Sequence, residues 1–287
     1  MSQDWELSCC YSWAMPELPE VEVVCRGLSP LLMGERVSSV LLMRDNLRFP
    51  LPELMSETLT GLVFSSVSRR SKYLLFSFNR GPLLVWHLGM TGQFHVLNQD
   101  TLLRAHEHVR INLESGKSLC YRDARRFGYA GLLDAETFGE HKWFYRLGPE
   151  PLGESFSAAY LFECCRGRKA PIKSVLMDAH VVVGVGNIYA SESLYRCGIH
   201  PARAAGRISK ARIKLLVEVV RDVLMEAIDA GGSTVSDFVK ADGKPGYFAH
   251  QFRVYGRESE DCYRCGRAIR RIVQSGRSTF YCSGCQH

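Results

Sequence analysis

Cys262 and Cys265, then sixteen residues, then Cys282 and Cys285, constrain the end of this chain more tightly than any other feature. Two Cys-x2-Cys turns each present a pair of thiolates. A spacer of that length can fold back as a hairpin and bring both pairs into one tetrahedron. Four sulfurs leave no open coordination position, so the pattern predicts one structural zinc ion, not a catalytic one. The spacer carries Arg267, Arg270, Arg271 and Arg277 and no acid, which points that hairpin at phosphates. Cysteines number eleven, an odd count, and the other seven (Cys9, Cys10, Cys25, Cys120, Cys164, Cys165, Cys197) show no framework spacing. A reducing compartment, the cytoplasm, with a metal site fits better than a disulfide scaffold.

The chain's 287 residues suffice for about two domains, and its net charge of +6 suggests a polyanionic partner such as nucleic acid. It has no apolar run long enough to cross a membrane, and residues 1–14 lack the layout of a secretory signal. Glu20 to Met33 reads as a helix, with Val21, Val24, Leu28, Leu31 and Leu32 at helical spacing and Gly34 as a stop. From Val37 the pattern changes to short β-branched runs: 37–42, 62–67, 73–78, 83–88, 93–97, 108–113, 118–122 and 129–133. Many short strands with turns between them predict a sandwich or barrel of antiparallel sheets. Leu147-Gly-Pro-Glu-Pro-Leu-Gly153 is a linker and the best domain boundary. Beyond it the period is helical, with helices expected at 158–165, 172–178, 187–195, 209–230 and 235–239; Tyr247 onward returns to short strands.

Met15-Pro16-Glu17-Leu18-Pro19-Glu20 admits two readings. Pro16 and Pro19 can simply open a helix, with acids favoured in its first turn. If translation begins at Met15 and the methionine is removed, Pro16 instead carries a free secondary amine. An α-amine titrates near pH 8, so a useful fraction is neutral at pH 7. Added to a sugar aldehyde carbon it forms an iminium ion, an electron sink, and Glu17 stands beside it for proton transfer. Val181-Val-Val-Gly184-Val-Gly186-Asn187 joins two helices through glycines, and the second helix offers N–H groups to an anion, with Asn187 as cap and phosphate donor together. Without a ligand it is a tight helix–helix turn. In Asp123-Ala-Arg125-Arg-Phe127-Gly128, Arg125 and Phe127 share one face of an extended segment and can fill a gap in a base stack, with Met90 as a third wedge. His87, inside an apolar strand, reads alone as a core histidine.

Taken in order, Pro16-Glu-Leu-Pro-Glu20, Lys72, His87-Leu-Gly-Met90, Asp123-x-Arg-Arg-Phe-Gly128, Gly184-Val-Gly-Asn-Ile-Tyr-Ala-Ser-Glu192, Asp242-Gly-Lys-Pro-Gly-Tyr-Phe248 and the four-cysteine finger closely resemble bacterial formamidopyrimidine-DNA glycosylase, from Met15 to the C-terminus. The resemblance implies an α+β multidomain protein with a leading helix and antiparallel β-sandwich (16–146), a helix-two-turn-helix domain (147–246) and a zinc finger (247–287), residues 1–15 being an extension. It implies excision of 8-oxoguanine and ring-opened formamidopyrimidines, then strand nicking, by a monomer acting on damaged duplex DNA. By position it makes Pro16 the nucleophile on C1′, Glu17 the general acid, and Lys72 and Arg277 the residues of β- and δ-elimination. It places His87, Met90, His106, Arg125, Phe127, Lys169, Lys173, Asn187, Lys244 and Tyr247 against DNA, and residues 234–247 over an extruded base.

Ala124 stands where relatives often have proline, which loosens that turn without removing a functional group. The extension matters more, because a Pro16 inside the chain is a tertiary amide. Endonuclease VIII-like glycosylases usually begin Pro-Glu-Gly-Pro-Glu and lack the Asp-Gly-Lys-Pro-Gly-Tyr loop, so Leu18 and the Arg125/Phe127 pair favour the purine enzyme. A catalytically silent damage-binding protein is what a blocked Pro16 would produce. A zinc-finger transcription factor is weakened because the finger offers no helix for groove reading.

Overall fold

The computed structural model describes residues 15–233 and 251–287. The expected helix at 235–239, and Lys244 and Tyr247, lie outside the described residues. The leading helix α1 (Leu18–Leu32) begins two residues earlier than its apolar period indicates, because Pro19 occupies its first turn, where a missing N–H costs nothing. Val21, Val24, Leu28 and Leu32 are buried, while Leu31 faces outward.

Two four-stranded antiparallel sheets follow. One holds β1 (Val37–Leu42), β6 (Glu107–Leu113), β7 (Lys117–Arg122) and β5 (Gln93–Asn98), in that spatial order; the other holds β2 (Phe64–Arg70), β3 (Tyr73–Phe78), β4 (Leu83–His87) and β8 (Tyr129–Leu133). Their inner faces meet in one core with Trp86, Phe64, Phe76, Phe94, Tyr121 and the buried face of α1. Each apolar side chain removed from water in this way contributes about 2 kcal/mol. Strand β2 runs on to Arg70, three residues past its apolar pattern, because Arg69 and Arg70 pair with Leu74 and Tyr73 of β3 while their charged ends bind elsewhere. The helix α2 (Met55–Leu59) was not expected: five residues are too few to show a period, and only Met55 and Leu59 are buried.

Beyond the linker, α3 (Ala158–Cys165), α4 (Ile172–Leu176), α5 (Asn187–Arg196) and α6 (Lys210–Asp229) pack around a second core. Helix α6 is capped by Ser209 and buries Ile213, Leu216, Val217, Val220 and Leu224, as the period requires. The same core takes in Phe252, Val254, Tyr255, Cys262, Ile269, Phe280 and Cys282, so the terminal hairpin of β9 (Arg270–Gln274) and β10 (Arg277–Tyr281) shares its interior with the helices.

Candidate active site and nucleic-acid interface

Glu17 sits just before α1, yet its side chain reaches the start of α5. Gly186 N donates to its Oε2 at 2.8 Å and Ile188 N to its Oε1 at 3.0 Å. The α5 N-terminus, expected to hold an external anion, therefore holds the carboxylate of Glu17. Asn187 is also corrected as a cap: it is the first helical residue, Gly186 takes the N-cap position, and the capping oxygens come from Glu17. A Cβ at 186 would lie 2.2 Å from the Glu17 carboxyl carbon, so glycine there leaves the carboxyl group its place against the α5 backbone. Burial raises the Glu17 pKa above the ordinary carboxyl value, while Lys72 and the α5 backbone donors pull the other way. Glu20 completes the corner. Its Oε2 accepts from Glu17 N at 3.0 Å, and its Oε1 accepts from Tyr189 Oη at 2.6 Å and Ser233 N at 2.8 Å.

A cavity of about 390 Å³ opens over this corner, lined by Met15, Glu17, Lys72, Met90, Asn187 and Arg277 among others. Pro16 is buried between Met15 and Glu17. Lys72 follows Ser71, whose φ is +56°. That conformation is held from both ends. Glu150 of the linker accepts from Ser71 N at 2.7 Å, and Arg69 Nη1 donates to Ser71 O at 2.8 Å and to Glu150 at 2.7 Å. Across the cavity, Asn187 is fixed between two layers: Lys173 Nζ donates to its Oδ1, and its Nδ2 donates to Ser278 O of β10 at 2.9 Å. Lys173 also donates to Thr279 Oγ1 at 2.6 Å. At 2% exposure it lies behind Asn187 and is not itself open to an external ligand, which corrects its expected place against DNA. Burial, with Arg277 nearby, pushes its pKa down to about 8, opposed by Glu17.

His87 ends β4 with its ring stacked on Tyr129 at 4.9 Å and edge-on to Tyr73 at 5.0 Å. Its Nδ1 accepts from Gly89 N at 3.0 Å, so the neutral ring carries its hydrogen on Nε2. Burial, then Lys72 and Arg48, drive its pKa down to about 3. It is thus a packed aromatic whose neutral ring keeps its hydrogen on Nε2.

The turn 123–128 is pinned by the buried carboxylate that opens its motif, a role the motif itself did not reveal. Asp123 accepts from Thr91 Oγ1, from Tyr121 Oη at 3.2 Å and from Gly128 N at 2.8 Å, and Thr91 Oγ1 accepts from Arg125 N at 3.1 Å. Arg125 and Phe127 stand exposed, the guanidinium 4.7 Å over the ring. With Met90 they border a second cavity of about 610 Å³. Gly89 has φ +69°, and a Cβ on it would meet Gly128 N at 2.3 Å, so the Met90 and Phe127 loops are pressed backbone to backbone. His106 and Lys169 are exposed on separate loops.

The ligand atoms of Cys262, Cys265, Cys282 and Cys285 all lie within 4.8 Å of one another. Tetrahedral thiolates at about 2.3 Å from zinc would sit about 3.8 Å apart. The pairs Cys262–Cys285 at 3.8 Å and Cys265–Cys282 at 3.4 Å fit that shell. Besides Asp123, the parts played by Glu150, Glu20 and Glu192 had no sequence signal. Glu192 accepts from the backbone N–H groups of Arg253, Val254 and Tyr255 and so ties α5 to the finger. Glu150 and Glu192 have partners 61 to 81 residues away, which no local pattern encodes, whereas Glu20 adds to its local capping-box bond with Glu17 N the remote donors Tyr189 and Ser233.

Three family models match the chain in order: formamidopyrimidine-DNA glycosylase N-terminal domain over residues 15–130, formamidopyrimidine-DNA glycosylase H2TH domain over 147–239, and zinc finger found in FPG and IleRS over 259–287. The formamidopyrimidine-DNA glycosylase of Xanthomonas euvesicatoria pv. vesicatoria is 48% identical over 272 residues, which is 95% of this chain and 100% of that protein. Among solved structures, a Lactococcus lactis FPG mutant in complex with Fapy-dG-containing DNA superposes with a TM-score of 0.88 at 32% identity, covering 94% of this chain and 99% of that one. A Lactococcus lactis Fpg complex with abasic-site DNA gives 0.87 at the same identity and coverage.

Proposed function

The chain belongs to the formamidopyrimidine-DNA glycosylase family, and from that membership we propose that it excises oxidised purines from duplex DNA through a Pro16 amine and then cleaves the strand. The observation that carries the reading is the convergence of Glu17, Lys72, Asn187 and Arg277, from four separate elements, on one cavity beside Pro16. The Pro16 nitrogen adds to C1′ as the bond to the damaged base breaks, and Glu17 supplies a proton at the sugar. The resulting iminium acidifies the C2′ hydrogen, whose loss expels the 3′ phosphate, and a second elimination through the conjugated iminium expels the 5′ phosphate; Lys72 serves the first and Arg277 the second. Water then hydrolyses the iminium and restores the amine. Asn187, held by Lys173 and β10, takes a flanking phosphate, and Met90, Arg125 and Phe127 fill the space left by the extruded nucleotide. Extrusion is necessary because C1′ and the lesion are out of reach within the stack. One structural zinc ion, held by the four cysteines, supports the hairpin that carries Arg277.

Among the described residues no helix is long and apolar enough to cross a membrane. The working form in this proposal is a cytoplasmic monomer. The chemistry also requires a free Pro16 nitrogen, since an amide has no lone pair to offer. Borohydride trapping on an 8-oxoguanine:cytosine duplex tests this. Protein beginning at Pro16, verified by intact mass, forms a covalent adduct and nicks the strand; protein retaining residues 1–15 does neither. Equal trapping by both forms overturns the amine assignment.

A further inference from the structure

A second basic surface adjoins the cavity but contributes nothing to the chemistry. Segments 166–172 and 201–207 run against each other: Ala205 N donates to Ala170 O at 2.9 Å, Gly206 N to Arg168 O at 3.0 Å and Ile172 N to Arg203 O at 2.8 Å. Residues 199–217 include Arg203, Arg207, Lys210, Arg212 and Lys214 and no acid. Arg212 is half-buried and spent on the Gly198 carbonyl at 2.8 Å. Arg203, Arg207, Lys210 and Lys214 are exposed, with no ion pair among the described residues. Their arrangement costs the fold something. Lys210 and Lys214 stack as a like-charge pair one turn apart, and α6 carries no acid in its first turn, where acids are favoured. Elsewhere the chain neutralises such charge locally, as Glu163 does for Arg166 and Glu226 for Arg196.

The ridge meets the nucleic-acid site at its 201–203 end. Arg203 O holds the first residue of α4, the helix that carries Lys173 to Asn187, and Gln274 of the finger donates to Pro201 O at 3.4 Å. Resting on the reading of the central cavity as a DNA site, we propose that Arg203, Arg207, Lys210 and Lys214 form a track for the phosphate backbone of duplex DNA outside the lesion footprint. A duplex leaving the cavity past α4 presents a row of phosphates of opposite sign. Contacts of this kind carry no base information; they raise affinity for undamaged DNA and govern how it falls with salt.

The test compares zinc-loaded protein beginning at Pro16 with a variant of it carrying Arg203→Ala, Arg207→Ala and Lys210→Ala, on a lesion-free 40-base-pair duplex and on a 12-base-pair duplex with a central 8-oxoguanine. Each neutralised phosphate contact adds about 0.9 to the salt slope of log affinity. On the long duplex the variant should lose about 2 to 3 from that slope and at least tenfold in affinity at roughly physiological salt. On the short duplex, binding and single-turnover excision should stay within twofold. A second variant, Arg203→Lys with Arg207→Lys, should keep the wild-type slope. An unchanged slope on the long duplex overturns the track, as does equal loss on both duplexes, which would place these residues inside the lesion footprint. Wild-type protein that fails to cut the short duplex would instead undo the glycosylase reading itself.

Discussion

At the scale of single residues, the chemistry depends on two side chains whose charge is set by burial. Glu17 is shut away from water and receives hydrogen bonds from the α5 backbone, with burial the dominant influence. A raised pKa keeps a carboxyl protonated, and so able to donate, above the ordinary range near pH 4.3. Once the titration of the Pro16 amine near pH 8 is divided out, the single-turnover excision rate should therefore hold through the ordinary carboxyl range and fall tenfold per pH unit only above it. A break at the ordinary carboxyl pKa would remove Glu17 as the donor. Lys173 is the opposite case. Its folded pKa, about 8, lies below the 10.5 of an exposed lysine, so the unfolded chain binds the proton more tightly. Its cost is full below pH 8 and disappears as pH rises to 10.5, so stability climbs across that window. Urea unfolding should show wild type gaining on the order of 3 kcal/mol over Lys173→Met between pH 8 and 10.5; parallel pH curves would contradict the buried charge. Glu17 was legible in the sequence because it belongs to a contiguous motif. Lys173 was legible as a basic residue but not as a buried one, because its partners, Asn187 and Thr279, are 14 and 106 residues away.

At the scale of elements, the period of two and the period of 3.6 were readable wherever a segment buries one face. Strands β1, β3 and β8 and helix α3 have the ends their apolar patterns indicate. The ends shift where something other than burial sets them: Pro19 at α1, charged ends paired beyond the strand at β2, and no period at all in α2. The loops that carry function were legible as motifs and not as shapes. Gly89 is the clearest instance. Its need for glycine comes from φ +69° and from the Phe127–Gly128 backbone 2.3 Å from any Cβ, and both facts exist only after folding. Because backbone cannot rotate aside as a side chain can, Gly89→Ala should force the 88–92 and 123–128 loops apart. Excision should fall at least tenfold through loss of a coherent Met90–Phe127 wedge, with a stability loss of about 1–3 kcal/mol from the strained residue. Fluorescence of 2-aminopurine placed beside the lesion reports the wedge directly. A Gly89→Ala variant with a wild-type insertion signal would show that the apposition is dispensable.

At the scale of the whole molecule, the cavity is built by parts that belong to two interiors, neither of which makes the site alone. The sandwich brings Lys72 and Met90, the linker fixes Lys72 through Glu150, α5 holds Glu17, and the finger contributes Arg277 and the Ser278 carbonyl that orients Asn187. The zinc ion takes no part in bond-making, yet its removal should abolish bond-making. A structural zinc site of this kind is worth about 10–16 kcal/mol to a finger that is otherwise unfolded. Without the ion the four thiols have nothing to hold them together, and β10 loses the anchor that sets Arg277, Ser278 and Thr279. Phe280 and Cys282 belong to the same interior as the helices, so the helical part should soften with the finger, whereas the sandwich core shares no residue with it. Stripping the metal with a chelator should thus split the calorimetric trace, leaving a sandwich transition near its original temperature and lowering or erasing the other. Excision and nicking of an 8-oxoguanine duplex should drop at least a hundredfold and return when one equivalent of zinc is restored. Metal-free protein that cuts at the wild-type rate would mean that Asn187 and Arg277 find their places unaided, and that the cavity is not assembled in this way.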